Sequence, residues 1–122
     1  MKIQESAENY LETILILQKR NGTVKSIDIV TELNYSKPSI SNAMKNLSND
    51  GYIYMDENKY ITLTDAGREI AERMYERHQL ISKFLMKLGV NEDVALEDAC
   101  RIEHVISDET FQKIKDHANN IE

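Results

Sequence analysis

Two short apolar stretches that follow a polar helix constrain the fold of this chain more than any other feature. Residues 52–55 and 59–63 are rich in Tyr and Ile and are joined by a polar turn, a pattern typical of a β-hairpin. The segment before them, 36–49, has helical periodicity with Pro38 near its start, where a helix tolerates proline. A hairpin placed directly after a helix in this way predicts the wing of a winged helix-turn-helix.

Helical periodicity predicts five further helices. They cover residues 5–20, 26–33, 65–87, 92–106 and 108–121. Ser26 is the predicted N-cap of the second helix, and Thr64 or Asp65 is the predicted cap of the helix over 65–87. The fold class is therefore mainly α: a winged helix-turn-helix followed by a helical part, with helix 65–87 connecting the two.

Composition limits the classes of function. A net charge of −6 on 122 residues argues against a protein that coats nucleic acid non-specifically, but it leaves room for a local DNA-binding face. No run of about 18 apolar residues predicts a membrane span, and the polar N-terminus does not resemble a secretory signal. The single cysteine forms no internal disulfide. We therefore expect a cytoplasmic protein in a reducing compartment.

The third helix has one apolar face and one face suited to DNA. Ile40, Met44 and Leu47 follow i, i+4, i+7 spacing and are expected to face inward. The remaining polar side chains can bind base edges or phosphates, and we predict that they contact DNA. These candidate DNA-binding residues are Ser36, Lys37, Pro38, Ser39, Ser41, Asn42 and Lys45. The alternative is an ordinary solvated face; the hairpin that follows the helix favours the DNA interpretation.

A thiol, a carboxylate and an imidazole at i, i+3 and i+4 suggest a metal site. Cys100, Glu103 and His104 share one face if residues 92–106 are helical. The apolar stripe expected on the opposite face is Val94, Ala95, Ala99, Ile102, Val105 and Ile106. Because a lone cysteine is usually buried, we expect a second surface to cover the side that bears Cys100.

Two other segments carry candidate ligands for the same ion. Asn9 and Glu12, at i and i+3 on the first helix, lie opposite its apolar stripe, and His78 lies within the apolar stripe of helix 65–87. Separately, each has a simpler interpretation: Asn9 and Glu12 as surface residues, His78 as a hydrogen-bonded core residue, and Cys100 as a small hydrophobe. Together they predict a metal site assembled from three distant segments, which makes the shape of the chain depend on metal.

Four stretches carry a resemblance to a known family. They are AENYLETI, SKPSISNAMKNLSNDGYI, LTDAGREIAERMYERHQLISKFL and EDACRIEHVISDE. With them the chain resembles the diphtheria toxin repressor family of metal-dependent regulators, including its manganese-responsive branch. The resemblance implies a homodimer, a DNA-binding domain over residues 1–64 and a helical metal-binding and dimerisation domain over 65–122. It also implies a two-domain form without the C-terminal SH3-like domain of iron-type members.

The resemblance also implies roles for single residues. By position, the metal ligands are Asn9, Glu12, His78, Cys100, Glu103 and His104, and the base-reading residues are Ser36, Pro38 and Asn42. At the first ligand position, which is Asn9 in this chain, iron-type members usually have Met and manganese-type members usually have Asp. Cys100 matches the iron type and Glu12 the manganese type, so the signature is mixed. Ser82 and Leu96 replace two residues of the ancillary metal site, which is therefore expected to be absent.

The predicted function is a metal-dependent transcriptional repressor of metal-uptake genes. It binds a palindromic DNA operator as a dimer when a divalent metal is present, with Fe(II) or Mn(II) favoured and Co(II) or Zn(II) as alternatives. The rival prediction is a winged-helix regulator that uses no metal and senses oxidants through Cys100. An enzyme is not expected, since the sequence has no recognisable catalytic motif and no glycine-rich phosphate loop.

Overall fold

The computed structural model describes the backbone of residues 2–121 and the side chains of residues 5–118. The elements, in chain order, are α1 (Lys2–Asn21), α2 (Ser26–Leu33), α3 (Lys37–Asn49), β1 (Ile53–Met55), β2 (Ile61–Leu63), α4 (Asp65–Lys87), α5 (Glu92–Ile102) and α6 (Asp108–Ile121). The chain divides into a first unit, residues 1–72, and a second unit, residues 73–122. The order of elements predicted from the sequence is confirmed.

The first unit is a three-helix core with a β-hairpin. Its larger buried apolar side chains come from the three helices, from both strands and, at Val24, from the segment before α2: Leu11, Ile14, Leu15, Leu17, Val24, Ile29, Ile40, Met44, Leu47, Ile53 and Ile61. The strands pair antiparallel, with Tyr54 opposite Thr62. The Ile61 N–H also donates to the Val24 carbonyl at 2.8 Å, so the hairpin is tied to the segment just before α2.

Side-chain caps set the starts of α2 and α3. The Ser36 hydroxyl accepts a hydrogen bond from the Ser39 N–H at 3.3 Å, which makes Ser36 the N-cap of α3. The prediction of Ser26 as an N-cap was wrong by one residue. Lys25 is the N-cap of α2, because its N–H donates to the Asp28 carboxylate at 2.9 Å and so fixes the first turn one residue earlier.

The second unit contains the C-terminal part of α4 together with α5 and α6. Its core is a cluster of Ile81, Ala99 and Phe111, against which Leu80, Leu85, Ile102 and Ile106 pack. The predicted helix over 92–106 was too long, since α5 ends at Ile102. The cause is Ser107, whose hydroxyl accepts from the Thr110 N–H at 3.1 Å and starts α6. Residues 103–107 therefore form a tight turn, which we call the α5–α6 turn.

Membrane insertion has no support in the helices. None of the helices in the described part of the chain combines the length and the apolar character that a bilayer span requires.

Candidate metal centre and nucleic-acid interface

The most unusual side chain of the second unit is Glu103, the first residue of the α5–α6 turn. It is 0% exposed, and among the described residues neither of its carboxylate oxygens accepts a hydrogen bond. Burying a carboxylate without donors costs several kcal/mol in a medium of low polarity, by order of magnitude. The site therefore has the electrostatics of a cation-binding position.

Two imidazoles lie beside that carboxylate. The Nδ1 atom of His78 is 3.4 Å from Glu103 Oε1, and the Nε2 atom of His104 is 4.0 Å from the same oxygen. The His104 side chain is only 7% exposed and that of His78 is 24% exposed. One carboxylate and two imidazoles form a donor set suited to Mn, Fe, Co or Zn. These three predicted ligands are thus brought together within the second unit.

The α4 helix and the end of α5 place these groups. On α4, His78 lies between Met74 and Ile81 in sequence, and both of those side chains are buried. Glu103 closes α5 as its C-cap, with its N–H donating to the Ala99 carbonyl at 3.0 Å. The backbone of Glu103 keeps helical angles, so its carboxylate lies on the same buried face of α5 as Ala99.

The predicted faces of α5 were partly wrong. Its buried line is Ala95, Ala99 and Glu103, at intervals of four, so Glu103 belongs to the buried face and not to the opposite one. Val94 and Val105, expected to be buried, are 50% and 67% exposed. Small alanines allow the helix to pack closely at 95 and 99, which leaves Val94 on the outer face of α5. Val105 lies past the end of α5, in the turn, so the helical periodicity does not govern it.

Cys100 does not match the expectation of burial. It is exposed, because it lies one position beyond Ala99 and so faces away from the core of the second unit. Its role as a metal ligand stays a prediction.

The α1 candidates lie in the first unit. Glu12 is 4% exposed, which agrees with the expectation that this face of α1 is covered. Asn9 is half-buried, and its carbonyl accepts a hydrogen bond from the Thr13 hydroxyl at 2.8 Å. A buried carboxylate is a plausible ligand by chemistry, while an amide oxygen is a weaker neutral donor. The assignment of both residues as ligands stays a prediction.

Sequence reasoning missed Arg77, the neighbour of His78. Its side chain is buried, and Nη1 donates to the carbonyl of Glu103 at 2.9 Å and to that of Ile106 at 3.1 Å. Nη2 pairs with the carboxylate of Asp108. The available signal was an arginine next to a histidine in the middle of an amphipathic helix, where a charge needs partners.

The predicted DNA-binding face of α3 is exposed as expected. Ile40, Met44 and Leu47 are 0%, 1% and 4% exposed and fix the orientation of the helix. All the candidate contact residues are exposed: Ser36, Lys37, Pro38, Ser39, Ser41, Asn42 and Lys45. The burial pattern predicted for this helix is confirmed, and its contacts with DNA stay a prediction.

A groove beside α3 is lined by positively charged side chains. It is bordered by the start of α2, by α3 and by the hairpin, and its lining includes Lys25, Lys45 and Lys59 but no acidic residue. The Nζ atom of Lys25 lies 4.6 Å from the centre of the Tyr60 ring, a cation–π contact that orients the side chain. Three ammonium groups around one groove suit a phosphate backbone. Lys25 was missed because it precedes α2 rather than lying on α3.

Two family models together match nearly the whole chain. The N-terminal DNA-binding domain of iron-dependent repressors matches residues 2–61. The metal-binding and dimerisation domain of iron-dependent repressors matches residues 64–122.

Curated relatives are similar along most of their length. An HTH-type transcriptional regulator of Methanocaldococcus jannaschii is 35% identical over 115 residues, which cover 93% of this chain and 92% of that protein. The transcriptional regulator MntR of Escherichia coli O157:H7 is 32% identical over 112 residues, covering 92% of this chain and 72% of that protein.

Solved structures share the fold. The manganese regulator SloR is 29% identical with a TM-score of 0.82, over 93% of this chain and 53% of that one. A manganese-dependent transcriptional repressor in complex with manganese is 29% identical with a TM-score of 0.83, over 93% of this chain and 52% of that one. The chain thus spans about half the length of these solved structures.

Proposed function

The chain belongs to the iron-dependent repressor family of metal-dependent transcriptional regulators, and from this premise we propose that it represses metal-uptake genes when it binds a divalent transition metal. The observation that carries the proposal is the buried carboxylate of Glu103, which accepts no hydrogen bond from the described residues and lies beside two imidazoles. A divalent cation supplies the missing positive charge.

We propose a full set of ligands that draws on three segments. Glu103, His104 and His78 form its centre, and Glu12, Asn9 and Cys100 complete it. The burial of Glu12 supports its inclusion, since a buried carboxylate gains most from a cation. Cys100 is exposed, so its inclusion requires its side chain to turn toward the ion. The proposed domains are residues 1–64 for DNA binding and 65–122 for metal binding and dimerisation.

The donor set limits the metal. Carboxylate, amide and imidazole groups suit Mn(II) and Fe(II), whereas a thiolate shifts the preference toward Co(II) or Zn(II). Relatives in solved structures are described as manganese-dependent, and one, ScaR, holds Zn²⁺. We therefore propose Fe(II) or Mn(II) as the physiological ion, with Co(II) as the spectroscopic probe for a thiolate ligand.

The second unit presents the surface for a homodimer. Its exposed large apolar side chains are Leu88, Val94, Leu96 and Val105. The family model of a metal-binding and dimerisation domain matches residues 64–122, and burying these described side chains against a second copy removes apolar area from water. A twofold dimer presents two copies of α3, which matches a palindromic operator.

The proposed mechanism is thermodynamic linkage. The proposed ligands on α1 and in the α5–α6 turn would together hold the ion, and a bound ion would stabilise one placement of the two DNA-binding domains in the dimer. If that placement fits the operator, metal raises the DNA affinity by roughly 5- to 150-fold, a coupling of about 1–3 kcal/mol. The regulator works in the cytoplasm, and its output is occupancy of DNA and not turnover of a substrate.

Glu103→Gln tests this function, because it removes the charge but keeps the shape of the side chain. Operator binding is measured by fluorescence anisotropy after chelation and after addition of Mn(II), Fe(II) or Co(II) under anaerobic conditions. We expect metal to tighten binding by the wild-type protein and by the control Glu109→Gln, whose residue is exposed on α6. In Glu103→Gln the metal effect should disappear. An undiminished metal effect in Glu103→Gln contradicts the proposed site.

The same experiment separates the rival function. A redox sensor acting through Cys100 would release DNA on treatment with peroxide, would ignore chelators, and would lose its response in Cys100→Ser. A response to chelators in both the wild type and Cys100→Ser supports the metal-dependent function.

A further inference from the structure

We propose that Arg77 is a positioning residue for the metal centre: it holds the backbone of the α5–α6 turn so that Glu103 and His104 face His78. The inference rests on the proposed function of that site, and it assigns a role to a side chain that does not itself bind the ion. A guanidinium cannot ligate a metal, since it has donors only.

The guanidinium of Arg77 makes three contacts with one short stretch of chain. Nη1 donates to the carbonyl of Glu103 at 2.9 Å and to the carbonyl of Ile106 at 3.1 Å, while Nη2 pairs with the Asp108 carboxylate. The ring of Phe111 lies below it, 5.4 Å from Cζ. These contacts reach both ends of the α5–α6 turn and the start of α6.

The turn needs such support because α5 has already ended. The last backbone hydrogen bonds at this end of α5 run to the carbonyls of Ala99 and Ile102. The carbonyls of Glu103 and Ile106 receive the Arg77 hydrogen bonds instead. Because Arg77 holds the carbonyl of Glu103, the backbone of Glu103 is fixed, and this restricts the direction in which the Glu103 side chain can point. The Glu103 carboxylate is thereby kept in the buried position where His78 Nδ1 lies 3.4 Å away.

Sequence adjacency makes the arrangement rigid. Arg77 and His78 are consecutive residues of α4, so the group that holds the backbone of Glu103 and the group beside its carboxylate move as one body. The ligands from α4 and from the turn are therefore fixed relative to each other before a metal binds. Such preorganisation raises metal affinity, because the free protein loses less freedom on binding.

Two substitutions of Arg77 and two controls test the inference. Arg77→Met keeps the length of the side chain without its donors, and Arg77→Lys keeps the charge but has no planar fork to span two carbonyls and a carboxylate. Glu109→Gln is the first control, since Glu109 is exposed near the start of α6 and its substitution removes one charge while all three Arg77 contacts stay in place. Ile81→Val is the second control, because it weakens the core of the second unit while leaving every hydrogen-bond donor and acceptor of the turn unchanged.

The measurements are Co(II) affinity, the Co(II) absorption spectrum, and hydrogen exchange of residues 103–106 in the metal-free protein. Co(II) binding by both Arg77 variants should weaken by roughly 10- to 100-fold, the usual effect of losing a residue that orients ligands. The amides of Val105 and Ile106 should exchange faster. Binding by Glu109→Gln and Ile81→Val should stay within about twofold of wild type, even if Ile81→Val melts at as low a temperature as the Arg77 variants.

The outcomes distinguish this inference from the proposed function. If the wild-type protein binds Co(II) and Arg77→Lys binds it with the same affinity and spectrum, Arg77 has no positioning role, while the metal centre stands. If Ile81→Val loses as much affinity as the Arg77 variants, the effect is general instability and the inference is overturned. If the wild-type protein binds no divalent metal, the proposed function and this inference both fall.

Discussion

A β-carbon on Gly67 would lie 2.0 Å from the carbonyl oxygen of Tyr52, so α4 and the start of the hairpin are in contact through their backbones. That carbonyl also accepts a hydrogen bond from the Thr64 N–H at 3.1 Å. The Thr64 hydroxyl accepts from the Gly67 N–H at 3.2 Å and donates to the Gly51 carbonyl at 2.7 Å. The first turn of α4 is therefore locked to the chain between α3 and β1.

Gly67→Ala should destabilise the first unit strongly. The atom it would meet belongs to the backbone, so relief requires α4 or the hairpin to shift, and overpacking of this kind costs about 1–3 kcal/mol or more. Urea denaturation followed by circular dichroism measures the loss. The control Ala66→Ser, at an exposed neighbouring position, should change the free energy of unfolding by less than about 0.5 kcal/mol. Equal stability of Gly67→Ala and wild type would show that the contact is looser than described.

Glu103→Met should stabilise the metal-free protein while removing its response to metal. The substitution replaces a buried charge that accepts no hydrogen bond among the described residues with an apolar group of similar length. We expect a gain of about 1–3 kcal/mol in the free energy of unfolding, measured in urea with a chelator present. Addition of Mn(II) or Co(II) should then raise the melting temperature of the wild type only. A metal-free Glu103→Met protein that is less stable than wild type would mean that the carboxylate is satisfied.

Asn42→Ala should weaken binding to the operator by about 1–3 kcal/mol and relax the preference at one base position. Asn42 is exposed on α3, and its amide can donate to and accept from a single base. The comparison is Lys45→Ala, whose ammonium lines the basic groove. It should weaken binding on all sequences and reduce the salt dependence by one phosphate contact. If Asn42→Ala loses the same affinity on random DNA, the residue does not read a base.

The ion pair between Arg20 and Glu32 should make the stability of the first unit depend on pH. Arg20 Nη1 lies 2.8 Å from Glu32 Oε1, and this hydrogen bond lowers the pKa of the Glu32 carboxyl below the ordinary glutamate value of about 4.3. Because the pKa is lower in the folded state, the pair contributes stability above the unfolded-state pKa. That contribution is lost as the pH falls through the folded-state pKa.

An NMR titration of the Glu32 carboxyl checks this directly. In Arg20→Gln its pKa should return toward the ordinary value, and the acid-induced loss of stability should shrink. The effect will be small, since both side chains are partly exposed and solvent screens the pair. An unchanged titration of Glu32 in Arg20→Gln would rule out the pair as the cause.

The sequence predicted the elements of this chain well because their signals are local. Ser36 and Pro38 start α3. The helical spacing of Ile40, Met44 and Leu47 indicates its buried face without knowledge of the rest of the fold. The end of α5 was missed because Val105 and Ile106 continue the apolar periodicity past Ile102, as far as Ser107, where a new helix starts. Two signals competed, and the cap determined the boundary.

The geometry of the candidate metal centre could be predicted only in part. The chemistry of Glu103 and His104 is readable from their types and spacing, but the burial of Glu103 depends on Ala95 and Ala99, whose small size is no obvious sign of a packing face. Arg77 could not be assigned from the sequence, because its partners are backbone carbonyls more than twenty residues away. Since every residue has a backbone carbonyl, the residue types do not indicate which carbonyls accept a hydrogen bond from a side chain.

The buried charge of Glu103 also bears on the lifetime of the protein in the cell. A folded state that buries a carboxylate without a hydrogen-bond donor among the described residues opens more often, and proteases degrade opened chains. Metal binds the folded state and so lowers the population of opened molecules. The amount of repressor in the cell should then follow the metal supply. Metal starvation would release the operator and also lower the amount of repressor, so repression would return only after new protein is synthesised.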